Sequence, residues 1–233
     1  SPTRAPRGER VRRWLLVALL FLAALWVSAA GAEQPRLKSL AYGLDMDADK
    51  AYWLSSDFRL EPWQRQFFPE DAPRDTIREF VPHEKGTYLK AAARKVLLEP
   101  PRLDVVGDEE RDGVRMLHLR IESPRQTPRL WLYIEDADEV ISSVINGQPG
   151  PKGSDWMLNY RNFGVEWVDI ALELRPSGTK PKLIVIEQSL SLDELSLMQE
   201  VPMPDYIAFE PNTVDWQRTF RSNNIYVRKT FPL

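Results

Sequence analysis

The sequence predicts a mainly β fold, an antiparallel two-sheet sandwich of jelly-roll-like form, preceded by one apolar transmembrane or signal helix. Three observations carry this. Apolar residues recur with period two from Val114 onward, turn-forming pairs interrupt them at about 8–12-residue spacing, and a single uncharged run stands near the N-terminus.

In an extended chain, successive side chains point to opposite faces, so alternation marks a strand with one face buried. Val114, Met116, Leu117, Leu119 and Ile121 form the first such series. Leu130, Leu132 and Ile134 form the second, and Val140, Ile141, Val144 and Ile145 the third. Turns fall at Ser123-Pro124, Glu135-Asp136 and Asn146-Gly147. Val165 to Leu174 and Leu183 to Gln188 continue the pattern across Arg175-Pro176-Ser177-Gly178, and Ile225 to Phe231 reads as a closing strand. Upstream, Leu40 to Asp45 and Ala51 to Ser55 flank a polar turn and predict a hairpin. Asp57 to Phe68, with Trp63, Phe67 and Phe68, reads as a short amphipathic helix or an aromatic-anchored loop. Asp71 to Lys85, with Pro73 and Pro82, reads as coil. Pro202, Pro204 and Pro211 predict a long coil over Pro202 to Asn224, lying across the sheets. Together these give roughly eight to ten strands.

The chain divides into three regions. Residues 1–13 are a Pro/Arg-rich tail that reads as the remnant of a cytoplasmic loop, residues 14–32 are the apolar segment, and residues 33–233 are the exported β domain. Trp14 to Ala32 holds no charge and comes after Arg10, Arg12 and Arg13, so the positive flank stays cytoplasmic and the chain beyond Ala32 is placed outside. At 1.5 Å per residue the run spans roughly 28 Å, enough for a bilayer core. Ala30-Gly31-Ala32 equally fits a signal-peptide cleavage site, so both readings stand on these residues alone. Residues 33–233 carry 26 basic and 33 acidic side chains, a net charge of −7. Nucleic acid is thereby excluded as the expected partner. With no cysteine, neither a disulfide framework nor a thiolate nucleophile or metal site is available.

No residue combination amounts to an active site, and no catalytic, cofactor-binding or metal-binding residue is assigned. Asp45, Asp47 and Asp49 are spaced like the start of a calcium loop, but Lys50 stands where a glycine is needed and Ser56 where a bidentate Glu is. A solvated hairpin turn is the simpler reading. His83 follows Pro82 in coil, whereas His118 alternates with Leu117 and Leu119 on the polar face of a strand. A catalytic zinc needs about three clustered protein ligands, and neither histidine has that company. Trp53, Trp131, Trp156 and Trp167 fall in strand-like runs. Their rings suit either core packing or stacking on sugars.

The segment PRLKSLAYGLDMDADKAYWLSSD resembles the junction after the last transmembrane helix of bacterial membrane-bound zinc aminopeptidases, metallopeptidase family twenty-eight in its endoplasmic reticulum metallopeptidase-like branch. Pro35, Ser39, Leu40, Tyr42, Leu44, Asp45, Asp47, Ala51, Trp53, Leu54 and Ser55 match that pattern. So do Tyr88-Leu89-Lys90-Ala91, Leu117 to Arg120 with Ser123-Pro124-Arg125, Asn146-Gly147, Gln188-Ser189 and the ending Val227 to Leu233. Lys50 departs from a family glycine, and Ser191-Leu192-Asp193 from a Gly-Leu-Pro. The resemblance implies a retained helix at Trp14 to Ala32 and a non-catalytic accessory domain on the extracytoplasmic side of the membrane. It places the two-zinc catalytic domain upstream and outside this chain, with that domain or subunit, the membrane and peptide substrate as partners. The alternative is an independent exported module that binds glycan or cell envelope through tryptophans.

Overall fold

The computed structural model describes residues 14, 17–20, 35–136, 139–161, 165–175, 180–210, 220 and 222–233. Trp14 and residues 17–20 are helical. The rest of the expected spanning or signal helix, and the tail before it, lie outside the described residues. Among the described residues no helix is long and apolar enough to cross a membrane.

The strands in chain order are β1 (Arg36–Lys38), β2 (Ala41–Asp45), β3 (Lys50–Ser55), β4 (Arg74–Asp75), β5 (Tyr88–Ala93), β6 (Arg102–Arg111), β7 (Val114–Glu122) and β8 (Arg129–Glu135). Then come β9 (Glu139–Ile145), β10 (Gln148–Pro149), β11 (Met157–Arg161), β12 (Trp167–Arg175), β13 (Lys182–Ser189), β14 (Ile207–Phe209) and β15 (Asn224–Pro232). The chain divides into two compact units. In the smaller, Ser1–Leu37 with Pro204–Ala208, the Arg36 amide donates to the Tyr206 carbonyl at 2.8 Å. The larger, Lys38–Met203 with Phe209–Leu233, holds both main sheets.

One sheet has five strands in the order β10-β9-β12-β7-β6, and the other has eight in the order β11-β8-β13-β15-β2-β3-β5-β4. Leu117, Leu119 and Ile121 of β7 and Val168, Ile170, Leu172 and Leu174 of β12 pack with Leu130, Leu132 and Ile134 of β8 and Leu183 and Val185 of β13. Both sheets thus face one core, as the alternation predicts. On the same face of the larger sheet, Tyr42 and Trp53 are cross-strand neighbours. The loop Asp57 to Phe68 covers them: the Trp53 and Phe67 rings lie 4.7 Å apart, and the Phe67 and Trp63 rings 5.0 Å. Of the two readings for that segment the aromatic-anchored loop holds, with only a short 3-10 turn at Gln64–Gln66. The opposite face of the larger sheet buries Ala41, Leu54, Ile184, Ile186 and Tyr226 under Ile77, Phe80, Val81 and Phe220. β13 is therefore buried on both sides, which is why Leu183 to Ile186 is apolar without alternation.

The sheets are not wholly antiparallel. β15 lies parallel to β2, Ile225 opposite Tyr42. A parallel neighbour needs a long crossover, and nearly the whole domain separates these two strands. Further strands appear beyond those expected, namely β1, β4, β5, β6, β10, β11 and β14, most of them short or edge elements with little alternation. β6 is the long one. Its burial pattern is almost entirely exposed, so no periodicity marks it. The signal lies beside it: Asp112 and Gly113 both have positive φ (53° and 72°), the two-residue hairpin turn that joins β6 to β7. Asn146 and Gly147 (47° and 78°) make the expected turn at the end of β9. The Pro202 to Asn224 stretch is interrupted by β14, and residues 211–219 and 221 lie outside the described set, as do most of the Arg175 to Gly178 connection and residues 137–138 after Asp136.

Candidate functional site

The smaller sheet buries one face and turns the other to solvent. Strand register sets its outward residues in rows. Glu109 of β6 lies opposite Met116 of β7, Met116 opposite Glu173 of β12, and Glu173 opposite Ser142 of β9. The next row is Gly107, His118, Ala171 and Val144. Together the two rows line an open groove of about 440 Å³ that runs across the strands. Its floor is low because Gly107 and Ala171 have almost no side chain. A Cβ built on Gly107 would meet only the His118 Cβ, at 3.6 Å.

The third row is charged. Arg120 Nε donates to Asp169 Oδ1 at 3.1 Å, and the Trp167 indole donates to Asp169 Oδ2 at 3.1 Å. The Arg120 guanidinium also lies over the Trp167 ring, 4.6 Å from its centroid. His118 Nε2 is 3.9 Å from Asp169 Oδ1, beyond hydrogen-bond distance. Glu173 accepts a bond from the Ser142 hydroxyl at 2.8 Å, so that hydroxyl is turned toward a carboxylate and not toward an imidazole. Among the described residues neither Glu173 nor Glu109 has a cationic partner. This arrangement can bind and orient a ligand.

Known protein families, curated proteins and solved structures yield no match to this chain. The resemblance to zinc aminopeptidases therefore rests on the residues quoted for it.

The other candidates fall in separate places. Asp45 accepts the Asp47 and Ala48 amides as a turn cap, at 3.0 and 3.1 Å. Asp45 and Asp47 both pair with Arg228, and Asp49 pairs with Lys95. These carboxylates are engaged by cations of the chain itself, in keeping with a hairpin turn. Among the described residues no group of three or more His, Asp or Glu is placed to hold a metal ion. His83 lies exposed in the coil before β5, remote in the fold from His118 on β7. Trp53, Trp131 and Trp156 are core residues at 6, 8 and 1% exposure, and only Trp167 of the four is open to solvent, at 38%.

The most perturbed carboxylate is elsewhere again. Glu187 of β13 sits at the end of the inter-sheet core, with no solvent exposure. Burial pushes its pKa up to about 7, opposed by the nearby Ser123 hydroxyl and the Arg125 guanidinium. Ser123 is itself bonded to Thr127, at 3.0 Å, and neither Glu187 oxygen has a partner in good hydrogen-bond geometry. Arg125 also contacts Ser189 and, at 3.3 Å, Glu194. A carboxyl so enclosed cannot reach a substrate; its consequences are for stability. The only sequence sign of it is a polar Glu187-Gln188 pair ending an apolar run.

Proposed function

We propose that this chain is a non-catalytic, membrane-tethered accessory domain of an aminopeptidase-like zinc metallopeptidase, which presents the outward face of its smaller sheet to polypeptide entering the enzyme. The observation that carries the recognition role is the groove across β6, β7, β12 and β9. It is open at the surface, floored by Gly107 and Ala171, and mounted on a sheet whose other face is locked into the core. A rigid frame of this kind holds a ligand at small entropic cost. The zinc ligands and the reacting groups would belong to a separate catalytic part, and the resemblance of Pro35 to Ser55 and of the Val227 to Leu233 ending supports that parentage.

The rival reading, an independent glycan module, has one observation in its favour: Trp167 is exposed on the same outward face, beyond the Arg120 and Asp169 row. The Arg120 guanidinium already lies over that ring, however, and the remaining strand tryptophans are buried.

Deleting residues 36–233 from the parent protein tests the proposal. The expected result is intact zinc binding with an altered length preference for peptides. Unchanged peptide selectivity, together with Trp167-dependent retention of a polysaccharide, would overturn it. Anchoring is checked on the same material: the chain should stay in the membrane fraction after a carbonate wash, because a spanning helix is not extracted as a peripheral contact is. A soluble product starting at Glu33 would decide for a signal peptide.

A further inference from the structure

The carboxylates of the smaller sheet's outward face are not treated alike. Asp169 is paired with Arg120, Glu122 with Arg102 and Glu139 with Arg175. Glu109 and Glu173, by contrast, stand on the two strands that flank Met116, and among the described residues neither forms an ion pair; the cations next along their strands, Arg111 and Arg175, pair with Asp112 and Glu139. Strands lie about 4.8 Å apart, so the two backbones are roughly 10 Å from each other, close enough for both flexible side chains to converge on one cation above Met116. Met116 stands between them in that row, at the floor of the open groove, and residues 33–233 carry a net charge of −7. A solvated, self-repelling pair would serve equally well on a flat face. Here the pair borders a depression whose floor offers apolar contact from Met116, Ala171 and Val144.

We propose that this groove binds an extended basic segment of polypeptide, with the apolar stem of a lysine or arginine on Met116 and Ala171 and its cation between Glu109 and Glu173. Long cationic side chains have the required division, an aliphatic stem below a charged head. The inference deepens the accessory reading above and rests on it, naming basic peptides as the class admitted.

The test uses the full chain in detergent micelles and fluorescently labelled alanine-rich peptides that differ only in carrying lysine and arginine, glutamate, or no charge. By anisotropy the basic peptide should bind, weaken with added salt, and lose about tenfold or more in affinity with the double variant Glu109→Gln, Glu173→Gln. The neutral and acidic peptides should bind far more weakly. Gly107→Leu and Ala171→Leu, each filling the floor independently, should also weaken the basic peptide, and circular dichroism would show that the sheet persists. Wild-type affinity in the double variant, or no binding of the basic peptide, overturns the inference. A neutral peptide bound as well as the basic one, and lost on filling the floor, overturns cation recognition while the accessory reading stands. A neutral oligosaccharide bound in place of every peptide overturns both.

Discussion

The Arg125 guanidinium approaches the Glu187 carboxylate to 3.7 Å at the end of the inter-sheet core, where the Glu187 side chain is wholly withdrawn from water. Cation and anion face each other without a hydrogen bond of good geometry between them, since Arg125 Nη1 and both Glu187 oxygens lack partners. Their attraction therefore does not offset the full cost of burying the charge, and the carboxyl keeps its proton to about pH 7.

This makes stability depend on pH with a defined sign. The folded-state pKa, about 7, exceeds the ordinary 4.5, so between those values the folded chain holds a proton that the unfolded chain has released. Stability from this group is full below the lower value, falls as pH rises toward the upper one, and is flat above it. The fall is on the order of 3 kcal/mol. Thermal melts at about pH 5 and about pH 8 should show this component vanish in Glu187→Gln. Arg125→Met, which removes the opposing cation, should extend it to higher pH. An unchanged pH dependence in Glu187→Gln would refute the assignment.

Gly43 of β2 faces the buried Phe80 ring so closely that an added Cβ would lie 2.6 Å from it. Gly43→Ala should therefore overpack this side of the larger sheet and cost about 1–3 kcal/mol in denaturant unfolding. Pairing it with Phe80→Leu should recover part of that loss, a coupling that two independent sites would not show.

Tryptophans that look equivalent along the chain should separate by stability. Trp156→Ala and Trp131→Ala remove rings from the two core clusters and should each cost about 3–5 kcal/mol. Trp167→Ala, on the outward face, should stay within about 0.5 kcal/mol. Equal losses would mean that Trp167 belongs to the core.

Alternation through Leu117 and Leu119 assigns His118 to the polar face, and that is where it lies, whereas Met116, read with the apolar series, stands on that same outward face between Glu109 and Glu173. It says nothing of Glu109 and Gly107, because β6 is an edge strand whose two faces are both largely exposed and so carries no periodic signal. Nor does it show that Glu109 and Glu173, far apart in the chain, share a row, because the row is set by the register of β6 and β12 on β7.

Period-two alternation, the Asn146-Gly147 turn and the hairpin around Asp45 to Lys50 by themselves determine a mainly β chain and the facing of most central strands. These are local matters, decided by which side of a pleat an apolar residue occupies and by which residues tolerate positive φ. The pairing of β15 beside β2, the burial of Trp131 and Trp156 against the exposure of Trp167, the confinement of Glu187 and the groove itself come only with the tertiary structure. Each depends on what lies opposite a strand or beyond a sheet, and such partners are brought together by long-range packing that no local pattern encodes.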